Sequence, residues 1–136
     1  MLSDLQKFLI ENPVSEVEET VIVSERLKDF PFKIKCITAS QLDEYQKKCI
    51  KNINNAKKRQ LDVKTFNELV IINHCIEPNF KDANWLQEAG CPTSPSMLVN
   101  KVLCAGEIAT LSEQIQKLSG FGEVEQEETV EEVKNS

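Results

Sequence analysis

Phe30-Pro31-Phe32-Lys33-Ile34-Lys35-Cys36 sets an apolar side chain at every second position, with Lys33 and Lys35 between them. That period suits a pleated strand and not a helix. Upstream, Val17, Val21 and Val23 alternate with Glu19 and Ser24 on either side of Ile22, which makes a first arm for a β-hairpin over 14–38. The turn is expected near Leu27-Lys28-Asp29. Pro31 has no amide to donate, so the second strand should begin there or lie at a sheet edge. A lone hairpin is marginal in water, so helices must cover one of its faces.

The remaining sequence supplies those helices. Ser3 with Gln6 forms a capping-box pattern ahead of Leu5, Phe8 and Leu9, and Asn12-Pro13 closes a docking helix over 3–11 that is too short to persist alone. Ser40 with Asp43 is expected to cap a helix over 41–54 carrying Leu42, Tyr45, Cys49 and Ile53, followed by a polar loop over 54–60. Asp62 then caps a more apolar helix, with Phe66, Leu69, Val70, Ile71, Ile72, Cys75 and Ile76, that should run to Pro78 at the centre of the core. The stretch 78–95 is irregular, with a turn or short helix at 80–86. Ser94-Pro95 reads as N-cap and first helical residue of a segment ending near 104. Gly106 punctuates, and Ile108, Leu111, Ile115 and Leu118 mark a last helix over 107–119 that Gly120 and Phe121 terminate. The expected fold is therefore α+β: a mainly helical single domain over 1–122 with an N-terminal β-hairpin, and a disordered acidic tail over 123–136.

Length and charge narrow the function. A chain of 136 residues fits one domain. Its net charge of −6 is concentrated at the end: residues 123–136 hold six Glu and one Lys, whereas 1–122 hold 16 acids and 15 bases. Neither part has the Lys and Arg excess from which nucleic-acid binders draw affinity. The longest apolar run, Leu69-Val70-Ile71-Ile72, is far short of the ~20 residues that span a bilayer, and no secretory leader is visible, so a soluble cytoplasmic protein is expected. Five cysteines at 36, 49, 75, 91 and 104 show no CxxC spacing and read as reduced, mostly buried small hydrophobes.

Catalytic patterns are weak. His74, the only histidine, adjoins Cys75, but neighbouring helical residues point about 100° apart, so the two make a poor nucleophile and base. A zinc site from His74, Cys75, Cys91 and Cys104 would draw each ligand from separate elements with no compact knuckle. Lys57-Lys58-Arg59 lacks interleaved aromatics and reads as a solvated loop. GxxxxGK[ST], GxGxxG and GxSxG are absent. No enzyme activity, cofactor or metal is expected. Phe80, Trp85 and Leu86 lie between helices, where large apolar residues are either plugs over the core or anchors for a partner. With Met97 and Leu98 they form the expected partner-binding surface.

Four segments in order resemble the XkdN-like tail assembly chaperones of phages and defective prophages: Phe8-Leu9-Ile10-Glu11-Asn12-Pro13; Pro31-Phe32-Lys33-Ile34-Lys35-Cys36-Ile37-Thr38; Glu77-Pro78-Asn79-Phe80-Lys81-Asp82-Ala83; and Leu103-Cys104-Ala105-Gly106-Glu107 followed by Leu118-Ser119-Gly120-Phe121. The resemblance spans about residues 5–122, and Cys104-Ala105 stands where a more hydrophobic Leu-Pro is expected. It implies a non-catalytic assembly factor in the cytoplasm of the bacterial host, absent from the mature particle. Such a factor binds the tape measure protein, keeps it soluble and helps recruit tail tube subunits. A longer form made by frameshifting is known in related systems, and an extension of that kind would suit the tail. A homo-oligomer through an exposed hairpin edge is a further expectation. The alternative is a structural tail or head-completion subunit retained in the particle.

Overall fold

The computed structural model describes residues 1–53 and 58–121, with the backbone alone at 51–53 and 58–60. The expected tail, 123–136, and its expected disorder lie outside the described residues, as do the side chains of Lys57-Lys58-Arg59.

Helix α1, Asp4–Glu11, starts at the expected capping box: Ser3 Oγ accepts from the Gln6 amide at 3.1 Å, and Gln6 Oε1 accepts from the Ser3 amide at 2.8 Å. A 3-10 turn at Val14–Glu16 leads into strand β1, Glu18–Val21, which pairs antiparallel with β2, Phe32–Lys35. Pro31 directly precedes β2. The alternation holds where the strand is paired, since Phe32 and Ile34 are buried, and it fails at Phe30, which lies in the turn and is exposed.

Helix α2 is Ala39–Cys49, and its cap is Thr38, not Ser40. Thr38 carries the same pattern two residues earlier: its Oγ1 accepts from the Gln41 amide at 3.2 Å while Gln41 Oε1 accepts from the Thr38 amide at 3.0 Å. The chain leaves the sheet extended through Thr38, with ψ 166° at Ser3 matched by 161° here, so Ser40 is already helical. The expected run to 54 is also corrected. The backbone turns at Cys49 into strand β3, Ile50–Ile53, which pairs antiparallel with β4, Lys58–Leu61, so 58–60 is strand and not polar loop. The Asp62 amide donates to the Cys49 carbonyl at 2.7 Å and closes this hairpin against α2.

Helix α3, Val63–His74, is capped by Asp62 as expected, its Oδ1 accepting from the Thr65 amide at 3.2 Å. It packs against α2 and has Val70 and Ile71 wholly buried. The helix does not reach Pro78. Cys75–Glu77 form strand β5 on the open edge of β2, completing an antiparallel sheet of order β1-β2-β5. Pro78 disfavours the helical region at Glu77, and the unpaired edge of β2 supplies the bonds that the last helical turn gives up. Tertiary pairing here overrides helical periodicity.

Helix α4, Ala83–Glu88, is capped by Asp82, and α5, Pro95–Val102, has Ser94 as its cap and Pro95 as first residue. Helix α6, Ala105–Leu118, begins two residues before the expected start and includes Gly106. An early helical glycine is tolerated because Glu107 Oε1 accepts from the Cys104 amide at 2.7 Å and fixes the first turn. Gly120 has φ 101°, the left-handed conformation glycine favours, and the Phe121 amide donates to the Gln116 carbonyl at 3.0 Å. Among the described residues six α-helices, the three-stranded sheet and the β3–β4 hairpin make one α+β domain. Its core, with Ile34, Val70, Ile71, Phe80, Leu98 and Leu111 fully buried, lies between the sheet and the helices around α3 and α6.

Candidate partner surface and comparison with known proteins

The five residues expected at the partner surface separate into two groups. Phe80, Leu86 and Leu98 belong to the core, Phe80 and Leu98 with no exposed surface. Trp85 is half-buried against Phe80, ring centroids 5.1 Å apart, so the irregular segment serves as a plug. Met97 alone of the five is exposed.

Met97 stands at the rim of an open groove of about 730 Å³ between the start of α3 and α5. Its floor is Glu68, a buried carboxylate that accepts from Ser96 Oγ at 2.8 Å and from Asn100 Nδ2 at 2.6 Å. Both oxygens of Glu68 are thus occupied by α5, so the carboxylate joins two helices. At the other side of the groove the Lys101 ammonium donates to the Ala89 carbonyl. Glu68 and Lys101 in the groove are thus both bonded within the domain.

The nucleophile and metal patterns take structural roles. His74 has no exposed surface, and its Nε2 lies 2.9 Å from the Tyr45 hydroxyl, the rings meeting edge to face. Nδ1 makes no hydrogen bond of normal geometry, although the Cys36 backbone lies beside it. Burial, with the nearby charges of Lys35 and Lys81, lowers the histidine pKa to about 4, so the ring is neutral near pH 7. Burial, with Glu77, pushes the Cys75 thiol up to about 12, far from a thiolate nucleophile. Cys49, Cys75 and Cys91 are buried, Cys36 is half-buried and Cys104 is exposed. Among the described residues no group of three or more His, Cys, Asp or Glu is placed to hold a metal ion. No helix among them is long and apolar enough to cross a membrane.

Two features were not anticipated. The first is a charged cluster at the start of α6: buried Glu107 accepts from Ser24 Oγ at 2.6 Å and from Arg26 Nε at 3.0 Å and Nη2 at 2.6 Å. The Arg26 hydrogen bond, followed by those from Ser24 and the Cys104 backbone, outweighs desolvation and holds the carboxyl down to about 2. Arg26 also reaches the Val102 carbonyl at 3.1 Å, so one side chain ties the hairpin turn to the α5–α6 junction. A Glu three residues after a cap was the available sign; its partners more than 80 residues away were not legible.

The second is α1. The expected docking helix does not dock on this domain: none of its residues is buried, and Leu5, Phe8, Leu9 and Ile10 each leave more than half of their surface in water. The 3,4 spacing of this helix marks an apolar face, but no described element of the domain buries it.

The described residues thus form a small α+β domain in which the buried carboxylates Glu68 and Glu107 are bonded from within and α1 carries an exposed apolar stripe. The model of the phage XkdN-like tail assembly chaperone proteins matches residues 5–134, and the chain belongs to that family. The crystal structure of the protein YqbN has a similar fold, with a TM-score of 0.65 at 23% identity over 90% of this chain and 100% of that one. No curated protein matches the chain significantly.

Proposed function

We propose that the chain acts without catalysis, in the cytoplasm of the infected or lysogenic bacterium, by binding the tape measure protein, keeping it soluble and helping to recruit tail tube subunits. Family membership supports this reading, and the exposed stripe of α1 carries it physically. Tape measure proteins are long helical chains, and apolar helical stripes that await enclosure need a reversible cover. The domain over 1–122 would supply the contact. The acidic tail over 123–136 would keep the complex soluble, through a net charge that resists association. Of the residues first expected to touch the partner, Met97 and Trp85 reach solvent, and Phe80, Leu86 and Leu98 would support them from the core. No cofactor, nucleic acid or membrane enters this role.

Co-expression of the full chain with the neighbouring tape measure protein tests the proposal. Soluble tape measure that co-purifies with the chain is the expected result. Insoluble tape measure, together with detection of the chain in purified particles, would overturn it in favour of a structural subunit.

A further inference from the structure

In α1 the side chains of Leu5, Phe8 and Leu9 fall within an arc of about 100°, the width of a stripe that normally faces a core. The reciprocal capping bonds at Ser3 and Gln6 satisfy the first turn internally and favour the helical form that presents this stripe. Charge is segregated along with it. Residues 1–21 contain five acids and one base, whereas 22–121 contain eleven acids and fourteen bases. Glu18 is engaged by Lys33 at 3.2 Å, and on α1 itself Asp4 and Glu11 fall beside the Phe8 edge of the stripe while Lys7 falls on the opposite side.

This distribution selects among occupants. Two α1 helices packed on each other, in either direction, bring Asp4 and Glu11 of one copy against the same acids of the other, and like charges oppose the contact. An eight-residue helix is also only about 12 Å long, so the pair alone falls well below the ~1,200 Å² of a stable interface. A helix from another protein, with Lys or Arg beside its apolar residues, meets both the stripe and the acids.

We propose that α1 is a docking element for a partner's amphipathic α-helix whose apolar residues recur at 3,4 spacing and are flanked by Lys or Arg. The proposal rests on the binding role given above and names the surface that performs it. Its test uses the full chain and two synthetic helical peptides of about 20 residues. Both carry the same Leu stripe, one with Lys flanks and the other with Glu flanks, and binding is followed by fluorescence anisotropy. The Lys-flanked peptide should bind about tenfold tighter or better, an advantage that narrows at high salt. The double variant Phe8→Gln, Leu9→Gln should lose about tenfold or more of that affinity with an unchanged melting temperature, because Gln keeps the helix and these side chains leave more than half of their surface in water. Equal binding of the two peptides, or undiminished binding by the variant, would overturn the assignment. So would sedimentation of the wild type as a dimer that the variant abolishes, which would make a second copy the occupant. If the wild type discriminates the peptides but never retains the tape measure protein, the functional reading falls and the docking surface stands.

Discussion

Helices α1 and α6 look alike in sequence and differ completely in setting. Each has an N-terminal glutamine or glutamate that reaches back to a cap amide, and each repeats apolar residues three and four apart. The stripe of α6 is sealed against α3, with Leu111 and Ile115 fully buried, whereas among the described residues that of α1 leaves more than half of its surface in water. Periodicity therefore reports which side of a helix seeks cover, but not who provides it. What separates the two is attachment. Helix α6 follows α5 after two residues and is pinned by Arg26 and by Ser119, whose Oγ accepts from the Ile37 amide at 2.8 Å. Helix α1 is joined to the hairpin through Asn12-Pro13 and the short 3-10 turn, with no long-range side-chain bond to the other described residues.

The strongest way to break this comparison is to truncate both stripes. Leu111→Ala should destabilise the domain by about 2–5 kcal/mol in urea denaturation, the cost of a cavity in a closed core. Leu5→Ala should change stability by less than about 0.5 kcal/mol. A comparable loss in both would mean that α1 packs on the domain after all.

A second difference concerns protons. His74, buried beside α2, has a folded pKa of about 4, below its ordinary 6.5, so the unfolded chain binds the extra proton first. Its contribution, at most about 3 kcal/mol, is fully present above pH 6.5 and is lost as pH falls toward 4. Because it is the only histidine, its ring protons in NMR spectra should stay fixed from pH 8 to about 5 and move with a midpoint near 4. A midpoint near 6.5 would show that the pocket opens to water.

Glu107 sharpens the comparison at the helix starts. Its depressed carboxyl contributes stability that is complete above the ordinary carboxylate range and is lost as pH falls from about 5 toward 2. Glu107→Gln should flatten that acid limb of a stability-against-pH series and loosen the hairpin turn. Ser3→Ala, which removes the cap hydroxyl that accepts from the Gln6 amide in α1, should leave the melting temperature unchanged and lower only the helical signal. The smallest effect is chemical: in the native protein Cys104 should react first with a thiol reagent, while Cys49, Cys75 and Cys91 wait for unfolding.

Much of the architecture was legible because it is written in short-range chemistry. Ser3, Asp62, Ser94-Pro95 and Gly120 mark helix ends by bonds that span three to five positions, and each end falls where its chemistry places it. The parts that were missed depend on distant partners or on backbone alone. Strand β5 exists because β2 had an open edge, and Cys75-Ile76-Glu77 by itself continues a helical pattern. The β3–β4 hairpin joins segments such as Lys51-Asn52 and Lys58-Arg59 that show no apolar alternation. At the candidate site, sequence marked large apolar residues at 80–86 and 97–98 but could not separate those facing inward from those facing outward. Only Met97 proved clearly outward, and the more exposed stripe lies in α1, whose spacing marks a docking helix without naming what it docks on.

Strand β2 also sets the order in which this chain can finish folding. Its two neighbours lie on opposite sides in sequence: β1 precedes it, whereas Cys75, the partner of Ile34, emerges about forty residues later. At bacterial synthesis rates of roughly 5–20 residues per second, the nascent hairpin spends several seconds with one edge open. During that interval it has neither β5 to close its edge nor α6 to seal its face, so a ribosome paused before residue 75 displays a sheet that any extended chain nearby can join.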